Sequence, residues 1–365
     1  MDFDFSSEQD QLREAVGNWV RRSYSFERRR QIERTNGFSK EVYAELAALG
    51  LPALLFRDED GGMGMGPVEM MVVMEELGRG IVLEPLMHAF LSGWILDKSD
   101  ASDASTWRKD IAAGSSLVVL AYQEPGARYD LSSCSTTATP AASKLHWSVR
   151  GEKSLVAAGD EAQAFIVPAT TAQGMALFMV DRNDPGVAVS SYRTLDGARV
   201  ANIRLNGATA QLITRDGDST LLAAVDLGIA CLCAEAVGVM EAMFEEVLKY
   251  LNVRKQFGVP LASFQALRHR VADMKTQLEL ARSMSYLATL KLNEPPSERQ
   301  LAVSRAKYQL GCAMRLIGQQ GIQLHGGIGM TDEYIVSHYF KRLTQLEMTF
   351  GDTTHHLGQL SAACQ

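Results

Sequence analysis

Residues 224–258 read AVDLGIACLCAEAVGVMEAMFEEVLKYLNVRKQFG, a run without proline in which Ala, Leu, Met and Glu dominate. Such side chains lose little rotamer freedom in a helix, so the stretch predicts one long helix. Two runs of the same texture follow, FQALRHRVADMKTQLELARSMSYLATLKL (264–292) and ERQLAVSRAKYQLGCAMRLIGQQGIQLHGG (298–327). Long helices on short links pack antiparallel, and a bundle of three or four is expected.

Upstream the texture changes. LVVLAY, LHWSV, AFIVPA, ALFMVD, VAVSSY and VANIRL are short apolar or β-branched runs separated by Gly, Asp, Pro and Ser. They predict strands of an antiparallel barrel or sandwich. No helical segments alternate with them, which argues against a Rossmann unit. Before these runs the chain is helical again. Ser6 with Glu8 and Gln9 reads as a helix start, Ser39 as the cap of a second helix that Gly50 ends, and Pro67 as the first turn of a third. The expected fold class is α+β in three domains: N-terminal α (1–117), middle antiparallel β (118–220) and a C-terminal helical bundle (221–365).

Composition narrows the function. The 365 residues are 46% hydrophobic and 22% charged, as in a folded globular protein. A net charge of −7 disfavours nucleic acid or anionic membrane as partners. No basic or apolar leader opens the sequence and no uninterrupted apolar run reaches the length of a membrane span. The five cysteines are odd in number, and on a helix Cys231 and Cys233 point about 200° apart, which suits neither a disulfide framework nor zinc. A reducing cytoplasm is the expected home. DGGMGMG (60–66) and GGIG (326–329) lack the GxGxxG pattern, adjacent His355 and His356 diverge on a helix, and no metal is expected.

Several runs in order resemble the acyl-CoA dehydrogenase family: DEDGGMGMGP (58–67), MMVVMEELGRG (70–80), YQEPGARYD (122–130), VRKQFG (253–258), FQALRHRVADM (264–274), QLHGGIGM (323–330), FKRLTQ (340–345) and TFGDTTHHL (349–357). The last two are most similar to the small subunits of pimeloyl-CoA-type dehydrogenases. The resemblance implies FAD-dependent α,β-dehydrogenation of an acyl-CoA thioester. A carboxylate takes the α-proton, the flavin takes the β-hydride, and donors polarise the thioester carbonyl. It also implies an oligomer in which each FAD lies between two subunits, and an electron-transfer flavoprotein as acceptor.

Carried over by motif, Arg254 would pair with the FAD pyrophosphate, for which a fixed guanidinium fork is suited. Phe257 and Gln265 fall at matching positions beside the cofactor. Gln323, Gly326 and Gly327 match a contact to pyrophosphate and adenosine, where bare backbone can approach.

Other positions depart from the family. The late Glu that serves as base is Phe350 here, and the alternative early site is Gly228. The usual TEPGAGSD reads QEPGARYD, which puts Gln123, Arg128 and Tyr129 in place of small or hydroxyl residues, and Trp-Ile-Thr behind the flavin reads Leu155, Val156, Ala157. A homomeric enzyme would need a relocated base. Asp352 is one candidate, with helix capping as its alternative role; Glu235, two turns beyond Gly228, is the other, with a buried structural pairing as its alternative. Otherwise the chain is the non-basic subunit of a heterotetramer whose paralogous partner carries the Glu, or a noncatalytic CoA- or flavin-binding scaffold.

Overall fold

A computed structural model describes residues 5–99, 104–141 and 146–363. Leu145, in one of the expected strands, and Cys364 lie outside them. Six helices come first: α1 (Ser7–Ser23), α2 (Phe26–Thr35), α3 (Lys40–Ala48), α4 (Pro67–Arg79), α5 (Leu86–Leu96) and α6 (Ala104–Ala112). Seven strands follow: β1 (Val118–Leu120), β2 (Thr137–Pro140), β3 (Trp147–Ala157), β4 (Ala164–Thr171), β5 (Gly174–Asp181), β6 (Val187–Arg193) and β7 (Arg199–Thr214). Then come α7 (Gly217–Val253), a hairpin of β8 (Lys255–Gln256) and β9 (Val259–Pro260), α8 (Gln265–Leu290), α9 (Pro296–His325), α10 (Ile335–Met348) and α11 (Thr353–Ala363).

The helix starts follow the local chemistry. Ser6 and Gln9 form a reciprocal capping box at α1, and the Ser39 hydroxyl accepts the Val42 amide at α3. The chain divides into two compact units, 1–31 with 67–82 and 229–365, and 32–66 with 83–228. The N-terminal helices are therefore shared out: α1 and α4 fold with the C-terminal helices, whereas α3, α5 and α6 fold with the strands.

In the second unit the strands close into a ring. β4, β2, β3, β7 and β5 are neighbours in that order, and β5 returns to β4. The expected barrel is present, but it is not wholly antiparallel. β1 runs parallel to β4, and β2 meets β4 in parallel at Thr137 and Thr170. Its interior is filled by Phe165, Val167, Phe178, Val180, Val149 and Ile203 with small alanines between them. β7 runs far beyond the VANIRL segment because Gly207, at φ +75°, forms a bulge opposite the Val149–Arg150 step and lets pairing resume.

In the first unit α8 to α11, joined by α7 from Ile229 onward, form the expected bundle, with α9 between α8, α10 and α11. α7 is long and apolar enough to cross a membrane, but 89% of its most apolar window is buried, as in a core helix. Cys231 and Cys233 lie buried on it as free thiols, and no metal-holding cluster occurs among the described residues. Lys307 is fully buried, its ammonium donating to the carbonyls of Leu346, Glu347 and Gly351 at 3.1, 2.7 and 2.8 Å. It closes the C-terminus of α10, where orphan carbonyls and the helix dipole favour a cation. His356 donates from Nε2 to the Phe350 carbonyl at 3.0 Å, which leaves Nδ1 to accept from Ser304.

Burial lowers His88 to about 4, and burial with the Lys307 charge lowers His356 to about 3. Both are protonated more readily in the unfolded chain, so their stabilisation is complete above the ordinary histidine value near 6.5 and is lost as pH falls through these values. Calorimetry should show the melting midpoint falling by about 5 °C or more between pH 6.5 and 4. An unchanged midpoint across that window contradicts two buried neutral imidazoles.

Candidate functional site

At the C-terminus of α7 the chain reverses through the β8–β9 hairpin. Lys255 pairs with Pro260 and Gln256 with Val259, which leaves a two-residue loop of Phe257 (φ +53°) and Gly258 (φ +81°). Two consecutive left-handed residues are the geometry of a type I′ turn, and a phenylalanine there is strained. Phe257 is 92% exposed, and its ring meets that of Phe264 edge to face. The Arg254 carbonyl accepts the Leu261 amide at 2.8 Å, so the hairpin is tied back onto the helix end that carries the arginine.

Beside it opens a cleft of about 510 Å³. Tyr250 of α7 and Arg254 just beyond its end, Leu267 and Arg270 of α8, Gln323 and His325 of α9, and Gly326 line it. No acidic residue does. The Arg254 side chain has no ion pair or hydrogen bond among the described residues. A Cβ at Gly326 or Gly327 would meet nothing within 4 Å, and Gly326 adopts φ +66°, ψ −140°, a conformation open to glycine alone. His325 is buried between the rings of Tyr250 and Tyr334, with Nδ1 donating to the Gly321 carbonyl at 2.8 Å; burial holds its pKa below the usual value.

The arrangement therefore brings Arg254, Gln323 and Gly326 together. Phe257, Gln265 and Gly327 are exposed nearby but do not line the cleft within this chain. An unpaired guanidinium, a lining without acids and an open glycine backbone fit the adenosine diphosphate half of FAD. Tyr250, Arg270 and His325 escaped the sequence reading. Helical spacing of Arg270 from Ala266 and Leu267 was the available signal.

The barrel unit carries the positions that would face a flavin. β3 bulges between Lys153 and Val156, and there Leu155 takes φ +54° and stands 44% exposed while Val156 is buried. None of residues 155–157 has a hydroxyl to offer. Behind them lies a buried pair: Lys153 donates to Glu124 at 2.6 Å, and Glu124 also accepts from Ser135 and from the Thr136 amide. Burial alone would raise the Glu124 carboxyl, but these donors outweigh it and hold it far below the usual range. Arg128, on the same loop, is exposed at φ +48° over the Tyr129 ring.

Phe350 is buried at φ +57° in the turn that Lys307 and His356 grip. The Asp352 carboxylate accepts the His355 amide at 2.7 Å, an N-cap for α11. Glu235 is buried and pairs with Arg342 at 2.5 Å. Both carboxylates have structural partners, and Gly228 sits buried within α7.

Comparison with known proteins accords with this architecture. Acyl-CoA dehydrogenase N-terminal, middle and C-terminal domain models match residues 6–114, 119–208 and 216–364. The probable acyl-CoA dehydrogenase YngJ of Bacillus subtilis is 26% identical, covering 100% of this chain and 99% of its own. A solved chain of the Tcur3481-Tcur3483 steroid ACAD has a TM-score of 0.91 at 25% identity, covering 98% of this chain and 97% of its own. A chain of the ChsE4-ChsE5 complex from Mycobacterium tuberculosis shares the fold, with a TM-score of 0.92 at 24% identity over 100% and 99%. The chain belongs to the acyl-CoA dehydrogenase family. Members are FAD-dependent oxidoreductases that act on the CH–CH bond of acyl-CoA thioesters.

Because Arg254 is exposed and unpaired among the described residues, Arg254→Ala should weaken FAD binding, read by titrating the protein with FAD, while the melting midpoint stays within about 2 °C. Intact FAD binding with a collapsed midpoint contradicts the assignment. Glu235→Gln removes the carboxylate that the partly buried Arg342 pairs with and should cost about 3 kcal/mol in denaturant unfolding. A neutral effect on stability would show that the pair does not hold α7 to α10.

Proposed function

We propose that this chain is the base-less subunit of a heteromeric FAD-dependent acyl-CoA dehydrogenase. It lends the nucleotide-binding wall to a cofactor whose flavin lies against a paralogous partner that carries the catalytic Glu. The observation that carries this reading is the contrast between the cleft and the positions that the resemblance assigns to the base and the flavin. The cleft at Arg254, Gln323 and Gly326 is complete in charge and backbone access. At the base positions stand Phe350 and Gly228, which cannot accept a proton, and the flavin-backing triplet has no hydroxyl.

Bound FAD supplies the hydride acceptor; the proton acceptor must be a protein carboxylate. Asp352 caps a helix and Glu235 neutralises Arg342, so neither offers a free one. This chain's contribution is binding: a guanidinium for the diphosphate, a glycine notch for close backbone approach, and an exposed hairpin presenting Phe257 beyond the chain's own surface. The FKRLT and FGDTTHH runs support a small-subunit role, and the shared fold of the ChsE4-ChsE5 complex is consistent with assembly from two different chains. An electron-transfer flavoprotein would receive the electrons, and the free thiols suit a cytoplasmic setting.

The visible spectrum tests the reading. Purified alone, the chain should be colourless or low in flavin; coexpressed with a Glu-bearing paralogue it should yield a yellow complex that an acyl-CoA bleaches. A chain that is fully flavinylated alone and bleached by an acyl-CoA overturns it in favour of a homomeric enzyme. Thioester binding without flavin reduction in either state overturns it in favour of a scaffold.

A further inference from the structure

The cleft at the end of α7 holds more positive charge than the motif assigned to it. Arg254 and Arg270 both line it, and nothing acidic faces them. Elsewhere in this unit guanidiniums meet carboxylates: Arg79 meets Glu241 and Glu245, Arg282 meets Glu75, Arg315 meets Glu347. Among the described residues Arg270 instead donates only to the neutral side-chain carbonyl of Gln320, at 3.0 Å. α8 starts at Gln265 without a side-chain cap, and its first-turn residues Ala266 and Leu267 line the same cleft; the Leu267 amide donates to the Phe264 carbonyl, so the positive end of the helix dipole rather than a row of open amides adds to the potential. Two cations and an uncapped helix start without a counter-charge make a site for more negative charge than one guanidinium would match.

We propose that Arg270 is a second cofactor-binding cation: Arg254 takes one phosphate of the nucleotide diphosphate and Arg270 the other, with Gln320 positioning Arg270. This rests on the cleft being the nucleotide wall of FAD. The motif accounts for Arg254 and leaves Arg270 unassigned. Guanidinium forks bind phosphate oxygens in pairs, so two of them discriminate a diphosphate from a monophosphate. Gln320 stands on α9 one turn before Gln323, so the amide that holds Arg270 comes from the helix that supplies the cleft's other wall.

The test is calorimetric titration of the full chain with ADP and with AMP, in wild type, Arg270→Gln, Arg270→Lys, Gln320→Ala and Arg254→Ala. Arg270→Gln should weaken ADP binding about tenfold while changing AMP binding less than about threefold, so the preference for ADP collapses. Loss of one phosphate contact should also flatten the salt dependence of ADP binding. Arg270→Lys should restore part of the affinity, and Gln320→Ala should fall between wild type and Arg270→Gln. An unchanged ADP-to-AMP ratio in Arg270→Gln, with Arg254→Ala still defective, overturns the proposal and leaves the nucleotide-wall reading intact. Wild-type chain that binds neither ADP nor FAD, alone or in its complex, overturns both.

Discussion

The close approach of α4 and α7 is the constraint on which the helical unit depends. A Cβ at Gly238 would lie 1.9 Å from the Glu75 carbonyl oxygen, and one at Gly78 would lie 2.2 Å from that of Glu235. No other residue fits at either point without moving a helix axis, so the two glycines fix how α7 crosses its neighbour. Charge reinforces the crossing. Arg282 of α8 joins Glu75 of α4 to Glu241 of α7, and Arg79 joins Glu241 and Glu245. These ions are partly buried, so their mutual pairing matters more for holding a unique register than for net stability.

That register has a functional consequence, because the far end of α7 delivers Arg254 and the hairpin. A helix rises 1.5 Å per residue, so a small change of tilt at Gly238 is magnified over the four turns to Arg254. The cleft exists because three helix ends meet: the C-termini of α7 and α9 and the uncapped start of α8. α9 in turn is held through Lys307, whose three carbonyl partners tie it to the end of α10 and to the turn around Phe350. The same buried lysine thus ties α9, which carries Gln323 and His325 of the cleft, to the turn around Phe350. At that turn stands Phe350, whose side chain cannot accept a proton.

Much of this was legible in order but not in partnership. The helix starts at Ser6, Ser39 and Pro67, the strand runs between 117 and 205 and the long C-terminal helices follow from capping chemistry and periodicity. The apolar run VANIRL ends at Leu205, whereas the bulge at Gly207 carries pairing on to Thr214. The order of helices along the chain does not say that α1 and α4 pack with the C-terminal helices while α3, α5 and α6 pack with the strands, since periodicity says which face of a helix is apolar and not which element covers it. Arg254, Gln323 and Gly326 were found by motif; Arg270 and His325 were not, because neither residue is unusual until the cleft puts it beside the others. Asp352 and Glu235 were left with two roles each, and only their partners, the His355 amide and Arg342, distinguish between them.

What the sequence determined by itself was local: the helices, the strands, the loss of any proton acceptor at positions 228 and 350, and the missing hydroxyl at 155–157. Those are properties of single residues and of spacing along one element, which a linear reading can hold. Only the tertiary structure decided which charges are spent and which are free. Glu75, Glu235 and Arg282 are consumed in cross-helix pairs, while Arg254 and Arg270 face a cleft with no acid in it. The reason is physical: a charge becomes available for a ligand when no opposite charge lies within a few ångströms, and that distance is set by how helices far apart in sequence pack.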